Sequence, residues 1–303
     1  MHRTVVFIHD AWLSPGVWRH FADRFAACGY TWMAPAWPGI ETSAPEHKHP
    51  DHIATRQPPA GLVELGMDGL LAHYAFLIRT LVEPPVLVGH GVGGLLVQLL
   101  IDRGLGAVGI AIAPTPPSGV LPGWSALRRI APLWSSWSSR LCMRVMHRTM
   151  KTSPAASAST GVARHPAVPA SFSPSFCPAI PLTRARFDHD VAQTLPLEQR
   201  QQAFDDWVVP ASGRLLWQTL LGIGCKVDFG NDCRAPLLFI AGEQDRSVQA
   251  STVAASFRQH RRSVAVSAMR LYAGRSHLLI TEPGWEEIAD ACIDWANQQL
   301  GGF

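Results

Sequence analysis

Two side chains far apart in the chain have the types needed for a proton-transfer site, and a third position lacks the group expected of it. His277 lies in Gly274-Arg275-Ser276-His277, directly after an apolar run, and Asp245 closes Ala241-Gly242-Glu243-Gln244-Asp245 after another. A carboxylate that accepts one imidazole N–H fixes the ring's tautomer and stabilises its protonated form, so the other ring nitrogen can take and return protons. Glu243 and Asp228 compete with Asp245 for that role. The third position is residue 91. Val86-Leu87-Val88-Gly89-His90-Gly91-Val92-Gly93-Gly94 runs from an apolar strand through a glycine-dense turn into an apolar helix. That is the setting of a G-x-S-x-G nucleophile elbow, with Gly91 standing where the serine belongs.

The glycines have a physical reason. The strand-to-helix turn is tight, and bulk at Gly89, Gly93 or Gly94 would collide with neighbouring backbone. A nucleophile at such a bend is held at positive φ, which costs a non-glycine residue on the order of 1–3 kcal/mol. Gly91 removes that strain together with the hydroxyl.

These residues need elements to position them. Val5-Val6-Phe7-Ile8 reads as a buried strand that ends in the loop His9-Asp10-Ala11-Trp12. Val17, Phe21, Phe25 and Cys28 then recur at helical spacing and Gly29 stops the helix. Thr31–Ala34, Val86–Val88, Ala107–Ala113, Leu237–Ile240 and Val266–Tyr272 read as further strands. Helices are predicted between them by Leu70, Tyr74, Leu77 and Leu81, and at the C-terminal end by Trp285, Ile288, Cys292 and Trp295. This alternation predicts an α/β fold with a doubly wound, mostly parallel sheet. Residues 1–114 and 236–303 form the core, and 115–235 form a helical cap inserted before the acid-bearing strand. Within it, 153–181 is rich in Ser, Ala and Pro and predicts a flexible segment. Trp124, Trp134, Trp137, Trp207 and Trp217 suggest either an apolar pocket roof or packing of the cap on the core.

Composition narrows the function classes. The net charge is +3 over 303 residues with 16% charged, too little to suggest a nucleic-acid surface. The run Gly91 to Ile101 is too short to span a bilayer and ends at Asp102. Six cysteines without a C-x-x-C pair suggest reduced, mostly buried thiols, and the N-terminus lacks a signal-type apolar region. Both predict a cytoplasmic protein. Gly104 and Gly106 precede a strand and so do not form a dinucleotide turn, and no motif calls for an organic cofactor. His47-Lys48-His49-Pro50-Asp51-His52 matches an H-x-H-x-D-H metal signature. It lies in a Pro-rich loop without convincing downstream ligands, so no metal site is expected there.

With the loop at 9–12, the elbow at 89–93, the acid at 245 and the histidine at 277, in the order elbow, acid, histidine, the chain resembles the α/β-hydrolase fold superfamily. Within it, the similarity is to small esterase and haloperoxidase-like hydrolases. The resemblance implies that Gly91, Asp245 and His277 form the catalytic positions, and that the backbone N–H groups of Ala11 and Val92 form the oxyanion hole. It departs from the family at Asp10, where glycine is common, which puts a carboxylate near a developing negative charge. The implied substrate is a small apolar ester, lactone or related carbonyl compound. Because the covalent serine route is closed, loss of the order of a millionfold in rate is expected, with roughly a thousandfold residual acceleration from oxyanion hole and binding. The alternatives are a cofactor-free lyase, cyclase or isomerase using the His277-Asp245 pair, and a non-catalytic binding protein or an inactivated Ser→Gly variant.

Overall fold

The computed structural model of the chain describes residues 3–40, 60–121 and 179–301. The first strand, β1 (Arg3–Ile8), is followed by a 3-10 turn at Pro15–Trp18 and helix α1 (Arg19–Ala27). Next come β2 (Tyr30–Met33), α2 (Ala60–Glu64) and α3 (Met67–Arg79). The central unit is β3 (Val86–His90), α4 (Val92–Asp102) and β4 (Val108–Ile112). After the short β5 (Ala179–Ile180), helical turns at Arg184–Arg186 and Phe187–Val191 lead to α5 (Leu197–Trp207), β6 (Ala211–Ser212) and α6 (Gly213–Leu221). The chain closes with β7 (Leu237–Gly242), α7 (Ala250–His260), β8 (Ser267–Tyr272) and α8 (Trp285–Gln299).

Six strands pair in the order β2-β1-β3-β4-β7-β8, and every pairing in that sheet is parallel. Strands buried on both faces must be apolar throughout, and Val5–Ile8 and Leu237–Ile240 are fully buried. Each face of the sheet has its own core. Phe21 of α1 and Ile288 of α8 pack with Phe7, Val88 and Ile240 on one side. Leu70, Leu95, Leu215 and Val253, from α3, α4, α6 and α7, pack with Ile8, Leu87 and Phe239 on the other. Helix α4 is buried from Val92 to Ile101, so its first turn is held firmly at the centre of the sheet.

The alternation read from the sequence therefore produces the expected layers, with strand ends shifted by a residue or two. Two short strands, β5 and β6, form an antiparallel pair inside the stretch where no strand of core quality was expected. That stretch meets the loops at the C-terminal ends of the sheet strands. Trp12 donates to the Ile180 carbonyl at 3.0 Å, Leu13 bridges to Val208, and Leu278 donates to the Val191 carbonyl at 3.1 Å. The expected flexible segment 153–181 falls almost wholly outside the described residues, as do Trp124, Trp134 and Trp137. Of the four described cysteines, all free, Cys225 and Cys292 are buried but Cys28 and Cys233 are exposed, so the expectation of mostly buried thiols is met only by half of them. No described helix is long and apolar enough to cross a membrane.

Candidate active site

The bend after β3 has the backbone of a nucleophile elbow. Gly91 sits at φ 57°, ψ −117°, a region only glycine enters without strain. A Cβ at Gly89 would run into the Gly93 carbonyl, and one at Gly93 into the carbonyl of Ile8. These close approaches are why the turn needs glycine, as the spacing predicts. At Gly91 the obstacle is different in kind. A Cβ there would overlap the side-chain carboxylate of Asp10 and stand 2.8 Å from its Cβ.

Asp10 comes from the loop after β1, which parallel pairing of Ile8 with Gly89 lays beside the elbow. Its Oδ1 accepts the Val92 backbone N–H at 2.7 Å, and its Oδ2 lies 3.6 Å from His277 Nε2. The volume of the absent serine side chain and one of the two expected oxyanion-hole donors are thus both taken by one carboxylate. Ala11, the other expected donor, follows Asp10 in the same loop and is buried. The departure from the usual glycine was visible in the sequence, but the reach of the side chain across to residue 91 was not.

Asp245 and His277 meet as expected. Oδ2 of Asp245 is 2.7 Å from His277 Nδ1, and its Oδ1 accepts the backbone N–H groups of Ser247 at 2.7 Å and Val248 at 2.8 Å. Glu243 instead accepts from Gly274 N–H at 3.1 Å, and Asp228 accepts from Gly230 N–H at 2.9 Å. Neither competes for the imidazole. The loop bearing His277 is pinned by Glu282, whose carboxylate accepts the Ser276 N–H and hydroxyl. The Ser276 hydroxyl also reaches the Val191 carbonyl. Glu282 carried no motif and could not have been picked out in the sequence.

Burial works against charge on His277, but the carboxylates of Asp245 and Asp10 outweigh it and raise the imidazole to about 9. The ring is then an imidazolium at neutral pH, flanked by a carboxylate on each side. The contact with Asp10 is an ion-pair distance and not a hydrogen bond. Two other buried imidazoles are driven the opposite way. Desolvation lowers His9 and His90 to about 4, so both are neutral. His9 donates from Nδ1 to the Asp10 carbonyl and stacks on Trp37, and His90 donates from Nε2 to the His277 carbonyl at 2.8 Å. His90 therefore serves as a brace between elbow and histidine loop.

A small cavity of about 20 Å³, room for about one water molecule, borders Asp10 and is walled by Trp12, Leu182, Arg186, Val191 and Ser247. Neither Trp207 nor Trp217 lines it. Trp217 is buried in one core and Trp207 packs against the other. Asp10, His90 and His277 could bring three donor atoms within 4.8 Å of one another, a metal-type grouping that the sequence did not suggest. His47, His49, Asp51 and His52 lie outside the described residues.

A parallel six-stranded sheet with a glycine elbow at its centre, and a carboxylate-held histidine beside it, defines the α/β-hydrolase class. The sequence model of the alpha/beta hydrolase family matches residues 5–291, and the chain belongs to that family. No curated protein matches its sequence. Among solved structures it is similar to a monoacylglycerol lipase of Paleococcus ferrophilus, at 16% identity and a TM-score of 0.62, covering 96% of this chain and 93% of that one. It is similar also to tomato methylketone synthase I complexed with 2-tridecanone, at 13% and 0.60 over 99% of both. A third is the putative non-heme bromoperoxidase BpoC of Mycobacterium tuberculosis, at 16% and 0.59 over 99% and 93%. Likeness at such identities speaks for the fold alone.

Proposed function

We propose that this chain is a cofactor-independent hydrolase of a small, largely apolar substrate, in which the His277-Asp245 pair moves protons and no serine ester forms. We assign Gly91, Asp245 and His277 as the catalytic positions, with 115–235 as a cap over them. The observation that carries the proposal is the 2.7 Å contact between His277 Nδ1 and Asp245, with Nε2 turned toward the elbow side. Esters, lactones and related carbonyl compounds are the first substrates to try, since lipase, esterase and methylesterase structures are among those of similar fold. For these, an acyl oxyanion must compete with Asp10 for the Val92 N–H, so their turnover is expected to be slow.

The test is turnover of p-nitrophenyl acetate and a small lactone by the protein and by His277→Ala and Asp245→Asn. Loss of the base should cost on the order of 10²–10⁴, and loss of the acid about 10⁴ through the wrong imidazole tautomer. Unchanged rates in both variants would remove the proposal. A second reading, a lyase or isomerase that only shuttles protons, is favoured by the same occupation of the Val92 N–H, because such chemistry needs no acyl oxyanion site.

A further inference from the structure

The most unusual feature of the site is that one glycine and one aspartate, from different loops, trade places. The elbow has lost its side chain, and the loop after β1 has supplied a carboxylate to the same space. Asp10 is 4% exposed. A charge so buried is costly unless it is held in place, and here one oxygen is fixed by the Val92 N–H while the other faces His277. This division of labour between the two oxygens is what a carboxylate nucleophile requires. One oxygen is anchored where negative charge will later develop, and the second is left beside the acid-base group.

We propose that Asp10 is the nucleophile of this enzyme, relocated from the elbow to the neighbouring loop, and that it opens a small apolar epoxide. This inference rests on the hydrolase reading above and narrows its substrate class. In the first step, an Oδ2 electron pair forms a bond to a saturated ring carbon. The carbon–oxygen bond breaks with its electron pair on oxygen, and the His277 Nε2 proton passes to that oxygen. The product is an ester of Asp10 bearing a free hydroxyl, and a neutral imidazole remains. In the second step, water attacks Cγ of Asp10 while Nε2 takes its proton. The tetrahedral oxyanion falls on Oδ1, against the Val92 N–H. Collapse expels the diol oxygen, which takes the Nε2 proton, and the hydroxyl that water left on Cγ then gives its proton to Nε2, so the Asp10 carboxylate and the imidazolium are restored. The sum is epoxide plus water giving diol.

The charge state of the site suits this order. A proton already on His277 is what the departing oxygen needs, and esterification removes one of the two negative charges that keep it there. An ester substrate is the poorer fit, because the carboxylate that attacks also occupies the hydrogen-bond donor that the substrate's own oxyanion would use.

The experiment is a single turnover of styrene oxide, and separately of 1,2-epoxybutane, in H₂¹⁸O. The expected result is label in the peptide containing Asp10 and unlabelled diol. Acid quenching of the unaltered protein partway through that turnover should trap a protein adduct heavier by one epoxide, mapping to Asp10. Asp10→Asn, which keeps the shape, should lose epoxide turnover at least a hundredfold while retaining the native circular dichroism spectrum. Label in the diol at the first turnover overturns the inference, as does an adduct on another residue or an active Asp10→Asn. Absence of epoxide turnover alongside His277-dependent p-nitrophenyl acetate hydrolysis overturns it and leaves the hydrolase reading standing. Turnover of neither substrate overturns both.

Discussion

The loop after β1 and the turn after β3 face each other across one strand pairing, and they divide the work of a single residue between them. The turn keeps everything that holds a nucleophile in place: the positive φ at Gly91, the glycines packed against backbone, and the Val92 N–H at the start of α4. It has no group to attack with. The loop has no strained backbone of its own, yet its Asp10 puts a carboxylate on that N–H. The Val92 N–H and the carboxylate that it holds are separated by 82 residues in the chain. The teaching is that a site is defined by a place in space, and either neighbour can fill it.

The sharpest way to break that comparison is to reverse the exchange. Gly91→Ser alone places Cβ against the Asp10 carboxylate, adds the positive-φ strain of about 1–3 kcal/mol, and should gain no p-nitrophenyl ester activity. Gly91→Ser combined with Asp10→Gly frees both the space and the Val92 N–H, and should raise that activity on the order of a thousandfold over either single variant. Equal activity in the single and double variants would mean that the two loops do not share one site.

A smaller effect sharpens the electrostatic side. Asp10→Asn removes one of the two carboxylates that raise His277. The midpoint of the His277 ring in an NMR titration should fall from about 9 toward the usual imidazole range, by a unit or more. A midpoint that stays near 9 would assign the shift to Asp245 alone.

The smallest effect is on stability against pH. His277, raised to about 9, contributes stability that is complete below its unfolded value near 6.5 and is lost as pH climbs through 9. His9 and His90, lowered to about 4, and His260, lowered to about 3 by burial and by Arg234, act on the acid side. Their contribution is present above about 6.5 and is lost as pH falls toward 4. Thermal unfolding should therefore be highest near pH 6.5 and decline in both directions. A midpoint temperature still rising at pH 9 would contradict the charged state assigned to His277.

Much of this was legible in the letters because the signals are local. Four-residue apolar runs separated by helical periodicity are enough to specify a parallel sheet, since strands covered on both faces admit no polar side chains. The elbow announces itself through glycine density, because backbone atoms approach too closely there for any Cβ. Asp245 and His277 were marked as candidates by their place just beyond core strands, but Glu243 and Asp228 were set aside only by the hydrogen bonds they make elsewhere.

What the chain determined by itself is which segments become strands, where the tight bend falls, and which imidazole and which few acids can flank it, all through spacing and steric exclusion along short stretches. Only the tertiary structure decided that the carboxylate of Asp10 lies over Gly91, that Glu282 holds the histidine loop, and that two carboxylates share one imidazolium. Those facts depend on side-chain direction across a sheet, where a shift of one residue in register turns a side chain to the opposite face, and residue order along a loop does not carry that information.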